Sequence, residues 1–163
     1  MGYGETALAR RRSVERDRRV VKWAPAMAAV WAGFIFFLSC FDIHRSAFIG
    51  FVDGLIPSEA LRHAWVSLWS AAGIFVVKGF HVAEFAVLFT LLNHGVRQTA
   101  GVSSRVRIAL CAGCCLLYAA SDEWHQTFVP GRHGSIVDVA IDGIGIAFAA
   151  ACAVVAARRR LWG

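Results

Sequence analysis

Four apolar runs, each near the length that crosses a lipid bilayer, limit what this chain can fold into. The first, VVKWAPAMAAVWAGFIFFLSCF, covers Val20 to Phe41, and the others are read at Gly73 to His94, Arg107 to Ser121 and Ile136 to Ala157. A hydrocarbon core of about 30 Å takes about 20 helical residues at about 1.5 Å each. The expected fold class is therefore all-α, an integral membrane bundle of four transmembrane helices. The chain is 58% hydrophobic and only 17% charged, where a soluble domain carries nearer about a quarter. The basic segment before the first run has the character of a signal peptide, and Phe37-Leu38-Ser39-Cys40 hints at a lipoprotein cleavage site. Leu38 suits that site poorly and three more runs follow, so an uncleaved first span is expected.

The net charge of +6 is concentrated at the ends: seven of the 17 Lys and Arg lie in the first 22 residues, and Arg158, Arg159 and Arg160 close the chain. Basic clusters beside apolar runs set topology and meet anionic lipid head groups, so lipid and not nucleic acid is the expected partner. Counted between the runs, the basic residues alternate so that both termini are cytoplasmic, in a multi-pass protein of the cell membrane. The chain divides into a basic tail over 1–19, a membrane domain over 20–157 and a second basic tail over 158–163. Trp23 and Trp162 would mark the inner interface, and Trp65, Trp69 and Trp124 the outer one. Pro57-Ser58-Glu59 reads as a helix start. Leu61, Ala64, Trp65, Leu68, Trp69 and Ala72 then recur on one helical face, predicting an amphipathic helix on the outer leaflet that leads into the second span. The five cysteines lie in or at the end of apolar runs, and Cys111-x-x-Cys114-Cys115 is read as small residues packing between helices.

Ionisable residues inside such spans cost at least about 2.5 kcal/mol each on the gentlest scale. Lys78, His81 and Glu84 recur at i, i+3, i+6 on one broad face of the second span. The third span has only 13 unbroken apolar residues, Ile108 to Ala120, about 20 Å of helix. It is therefore expected to continue through Asp122, Glu123 and Gln126 at membrane depth. Pro130-Gly131 turns the chain, which lets Arg132 swing back over the same place. Ser135 is the expected N-cap of the fourth span, with Asp138 in its first turn and Asp142 one turn deeper. Gly143 and Gly145 would allow close helix approach. Counted from each inner end, Lys78, Asp122 and Asp142 all lie about 21–22 Å up, in one outward-facing polar pocket.

The blocks Lys78-x-x-His81-x-x-Glu84-Phe85-x-x-Leu88, Asp122-Glu123-x-x-Gln126-x-Phe128-x-Pro130-Gly131-Arg132 and Ser135-x-x-Asp138-x-x-x-Asp142-x-x-Gly145 resemble the VanZ-like family. One departure is Asp142, where that family usually has Asn, which adds a negative charge. His125 and His133 match no family position. The resemblance implies a small polytopic membrane protein of a kind associated with low-level teicoplanin resistance. It also implies a distant likeness to membrane enzymes acting on phosphate-linked lipid head groups, phosphatidylserine synthases among them.

Two functions then stand side by side. In the first, an enzyme cleaves or exchanges a phosphate-linked head group of a lipid or lipid-linked cell-wall precursor. Attack on a phosphodiester needs a base and groups that meet charge on the phosphoryl oxygens. His81 is the expected base, oriented by Glu84, Asp122 or Glu123. Arg132 and Lys78 would clamp phosphate, Gln126 would donate to substrate and Asp138 would hold Arg132. In the second, the protein binds such a precursor or a lipophilic glycopeptide antibiotic without catalysis. A metal on His81, Asp122 and Glu123 has no tight ligand-spacing motif behind it, so no metal or cofactor is expected. The oligomeric state is not set by the sequence.

Overall fold

The structure is a computed structural model that describes residues 23–40, 45–97 and 101–159. Among these it is all-helical: α1 over Trp23–Ser39, α2 over Arg45–Leu55, α3 over Glu59–Val96, α4 over Ser104–Gln126 and α5 over Ile136–Arg159. The tail over 1–19, the first residues of the expected first span, Phe41, Arg160 and Trp162 lie outside the described residues.

Three helices, α3, α4 and α5, are long and apolar enough to cross a membrane. Their surface is inverted relative to a water-soluble protein. Phe75, Leu117 and Phe148 are exposed, at 75%, 74% and 68%, while Glu84, Asp122, Glu123, Gln126 and Asp142 are all buried. Buried polar groups beside an exposed apolar face are the informative departures from soluble packing, and they suit lipid outside and polar partners within.

The expected break between an interfacial helix and the second span is absent. α3 runs for 38 residues, about 57 Å, so the expected interfacial helix is its N-terminal extension. No proline stands between Pro57 and Pro130, and Gly73, at the expected junction, costs only about 1 kcal/mol relative to alanine. The expected apolar face is split: Trp65, Trp69 and Ala72 are half-buried, whereas Leu61, Ala64 and Leu68 are exposed. Trp65 Nε1 donates to the Ile49 carbonyl of α2 at 3.4 Å, docking a helix the sequence reading did not anticipate.

α4 does continue through Asp122, Glu123 and Gln126, and at 23 residues it reaches about 35 Å. Its start is capped by Ser103, whose side chain accepts from the Val106 N–H. The turn after it places Gly131 at φ 82°, a left-handed conformation that glycine adopts without penalty. Ser135 Oγ accepts from the Val137 N–H at 3.2 Å and opens α5 as expected.

The core forms where matching stripes meet: Phe85, Leu88 and Phe89 of α3, Ile108, Cys111, Cys115 and Ala119 of α4, Ile146 and Ala149 of α5, and Ile35 of α1. Their spacings of three and four are those of one helical face. Cys111 and Cys115 are buried in this core as free thiols, while Cys114 and Cys152 are exposed. Among α2 to α5, the most extensive pairing is α3 with α5. Gly145 sets it, since a Cβ there would run into the Val82 backbone. Gly143, expected to act likewise, does not: a Cβ there would only touch Leu116 Cδ2 at 3.4 Å. Hydrogen bonds with two other helices tie α1 on, Trp31 Nε1 donating to the Glu84 carbonyl at 2.9 Å and Tyr118 Oη donating to the Ala32 carbonyl at 2.6 Å.

Candidate functional site

α3 and α5 run in the same direction, with Val82 set against Gly145. That register places Lys78 and His81 of α3 beside Asp138 and Asp142 of α5. Lys78 Nζ forms an ion pair with Asp138 Oδ1, and His81 Nδ1 lies 3.4 Å from Asp142 Oδ1. Both contacts revise sequence expectations. Asp138 pairs with Lys78 and not with Arg132, and Lys78 is engaged by a carboxylate and not left open as a phosphate clamp. The carboxylate at ion-pair distance from His81 is Asp142, which the sequence did not assign to it; Glu123, one of the three expected, also has an oxygen within 4.8 Å of the imidazole. A helical face constrains which residues share a side; the register against a neighbouring helix decides which of them meet.

α4 supplies the second wall. Gln126 Nε2 donates to Asp122 Oδ2 at 2.9 Å and to Glu123 Oε1 at 3.1 Å. The other Glu123 oxygen accepts from the Ser135 N–H at 2.9 Å, which joins the end of α4 to the start of α5. Gln126 thus spends its donors on two carboxylates of its own helix. Arg132 folds back over the site as expected, anchored by its Nη2 donating to the Leu38 carbonyl of α1 at 3.2 Å.

A cavity of about 430 Å³ opens beside these groups. His81, Glu84, Asp122, Gln126 and Arg132 supply polar lining. Ile35, Leu38, Val76, Val77 and Phe80 supply apolar lining. Lys78, Glu123, Asp138 and Asp142 are not in its lining. The sequence reading gave α1 no part in the site, yet Ile35, Leu38 and Ser39 line the cavity. Only Trp31, a polar edge within an otherwise apolar run, signalled that α1 packs on the polar helices. Trp69 also reaches the cavity, from the segment expected to lie on the leaflet surface. His125 packs on Phe36, with ring centroids 4.6 Å apart, and His133 is exposed; neither lines the cavity.

Three buried carboxylate oxygens accept no hydrogen bond: Glu84 Oε1, Asp122 Oδ1 and Asp142 Oδ1. Ligand atoms of His81, Glu123 and Asp142 all lie within 4.8 Å of one another. Among the described residues this is the trio that could hold a metal, and it contains Asp142 where the set considered from sequence had Asp122. Chemically, the site offers an imidazole, several carboxylates and one guanidinium beside an apolar cleft.

No curated protein and no solved structure matches the chain. The family described as VanZ/LLP1 matches residues 25–157, from the first turn of α1 to the last turn of α5. The chain therefore belongs to the VanZ/LLP1 family.

Proposed function

We propose that this protein is a membrane enzyme that cleaves or exchanges a phosphate-linked head group on an outer-leaflet lipid or lipid-linked cell-wall precursor. On this reading α1 crosses the membrane together with α3, α4 and α5, giving four spans. Both basic tails lie on the cytoplasmic side against anionic lipid, and the polar pocket faces outward. The observation that carries the reading is a single cavity lined by both ionisable groups and apolar side chains. One amphiphilic molecule satisfies both kinds of lining. Arg132 can take phosphoryl oxygens in a bidentate fork. The His81–Asp142 centre activates the attacking water or hydroxyl, and Glu84 or Asp122 moves the proton. Lys78 and Asp138, paired with each other, brace α3 against α5 beside the reacting groups.

The second reading is a binder of lipid-linked precursor or of a lipophilic glycopeptide, giving low-level resistance without turnover. It is favoured by the internal pairing of Lys78 with Asp138 and of Gln126 with Asp122 and Glu123, which uses polar groups as structural ties. The test is purified protein in nanodiscs of native lipid extract, with released or exchanged head groups followed by mass spectrometry. Turnover that His81→Ala abolishes without lowering Tm supports the enzyme. Wild-type protein that retains lipid but releases nothing across lipid classes sinks it in favour of the binder.

A further inference from the structure

We propose that His81, Glu123 and Asp142 form a binding site for one divalent transition cation of the zinc class. Each ligand comes from a different helix, α3, α4 and α5, and their ligand atoms lie within 4.8 Å of one another. The separation of His81 Nδ1 from Asp142 Oδ1, 3.4 Å, is too long for a good hydrogen bond. It matches the edge of a tetrahedral site, about 3.3 Å for metal–ligand bonds of about 2.0–2.1 Å. Asp142 is 1% exposed, and its Oδ1, the atom facing His81, is buried and accepts no hydrogen bond. A buried carboxylate oxygen left in this state calls for a partner.

Glu123 is already oriented for the purpose. Gln126 Nε2 and the Ser135 N–H each hold one of its oxygens, as outer partners hold metal-binding carboxylates. A carboxylate oxygen has a second lone pair, so these hydrogen bonds leave coordination open.

Charge balance points the same way. Glu84, Asp122, Glu123, Asp138 and Asp142 bring five carboxylates to this region against the cations of Lys78 and Arg132. Counted fully ionised with His81 neutral, these groups leave three negative charges in a poorly solvated place, where unpaired charge is expensive. A dication cancels two of them. The imidazole ligand favours zinc-like ions over calcium or magnesium, which prefer all-oxygen shells. A bound dication would make His81 a ligand and pass activation of a water to the metal. The cation site goes beyond the head-group reading and does not depend on it, because binding is measured without turnover.

The test is calorimetric titration of the full chain, stripped with EDTA and held in nanodiscs, with Zn²⁺ alone. One Zn²⁺ per chain is expected. Asp142→Asn, which keeps the side-chain shape, and Glu123→Gln should each weaken binding by more than about tenfold, the scale set even by outer-shell losses. Cys114→Ser with Cys152→Ser should leave binding unchanged, which separates the site from exposed thiols. Each variant is compared with wild type by circular dichroism in EDTA, and bound Co²⁺ should give the visible absorption of a tetrahedral site. No saturable binding to wild type, binding indifferent to Asp142→Asn, or binding lost with the two cysteines would each overturn the proposal.

Discussion

Gly145→Ala tests the contact on which the site's alignment rests. A Cβ at Gly145 would stand 2.9 Å from the Val82 carbonyl carbon and 3.1 Å from its Cα, and closer still to the carbonyl oxygen. Ordinary contact begins at 3.4 Å, so the carbonyl carbon alone demands roughly half an ångström of separation in a close-packed seam. The obstacle is helix backbone, so no rotamer relieves it and α3 and α5 must move apart. Overpacking typically costs about 1–3 kcal/mol, and an obstacle that cannot rotate away belongs at the upper end. Alanine returns about 1 kcal/mol of helix propensity, which leaves a net loss of about 2 kcal/mol, up to about 30-fold in the folding equilibrium. Gly143→Ala is the matched control, because its Cβ would meet only Leu116 Cδ2 at 3.4 Å. It gains the same propensity unopposed and should equal or exceed wild type by up to about 1 kcal/mol. Reversible unfolding by SDS in mixed micelles, followed by tryptophan fluorescence, measures both. Separation of the helices also draws His81 away from Asp142, so Gly145→Ala should lose pocket function and Gly143→Ala keep it. Equal stability for the two variants would refute the register argument.

Lys78→Met and Asp138→Asn should each destabilise by about 1–2 kcal/mol, less than the about 3–5 kcal/mol of a fully buried pair, because the Lys78 side chain is 34% exposed. The double variant should cost clearly less than the two singles added together; additive costs in the same SDS assay would mean the ion pair contributes no coupling. An alkaline phosphatase fusion after Arg132 should be active and one within 95–107 inactive, and the reverse pattern would put the pocket on the cytoplasmic side.

What the sequence made legible follows from what one helix can determine alone. The helical face of Lys78, His81 and Glu84 was readable from spacing, and so was the extension of α4, because 13 apolar residues could not span unaided. The Pro130-Gly131 turn and the Ser135 cap were readable because their chemistry is local. The partners of His81 and Lys78 were not, because they depend on how far α3 is slid along α5, and no spacing within either helix records that offset. Gly145 carries it in a single residue, yet beside Gly143 in sequence it looked like one of two equivalent glycines. Only the opposing backbone of Val82 separates their roles. The same offset explains why the sequence offered no role for Asp142. Its position one turn below Asp138 gave depth but no neighbour, and the register then set it beside His81. A chain that pairs Lys78 with Asp138 in this register must also bring Asp142 to His81, since 138 and 142 lie one turn apart as 78 and 81 do. The Lys78–Asp138 brace and the His81–Asp142 pair are thus two consequences of one helix contact, and shifting that contact should disturb both together.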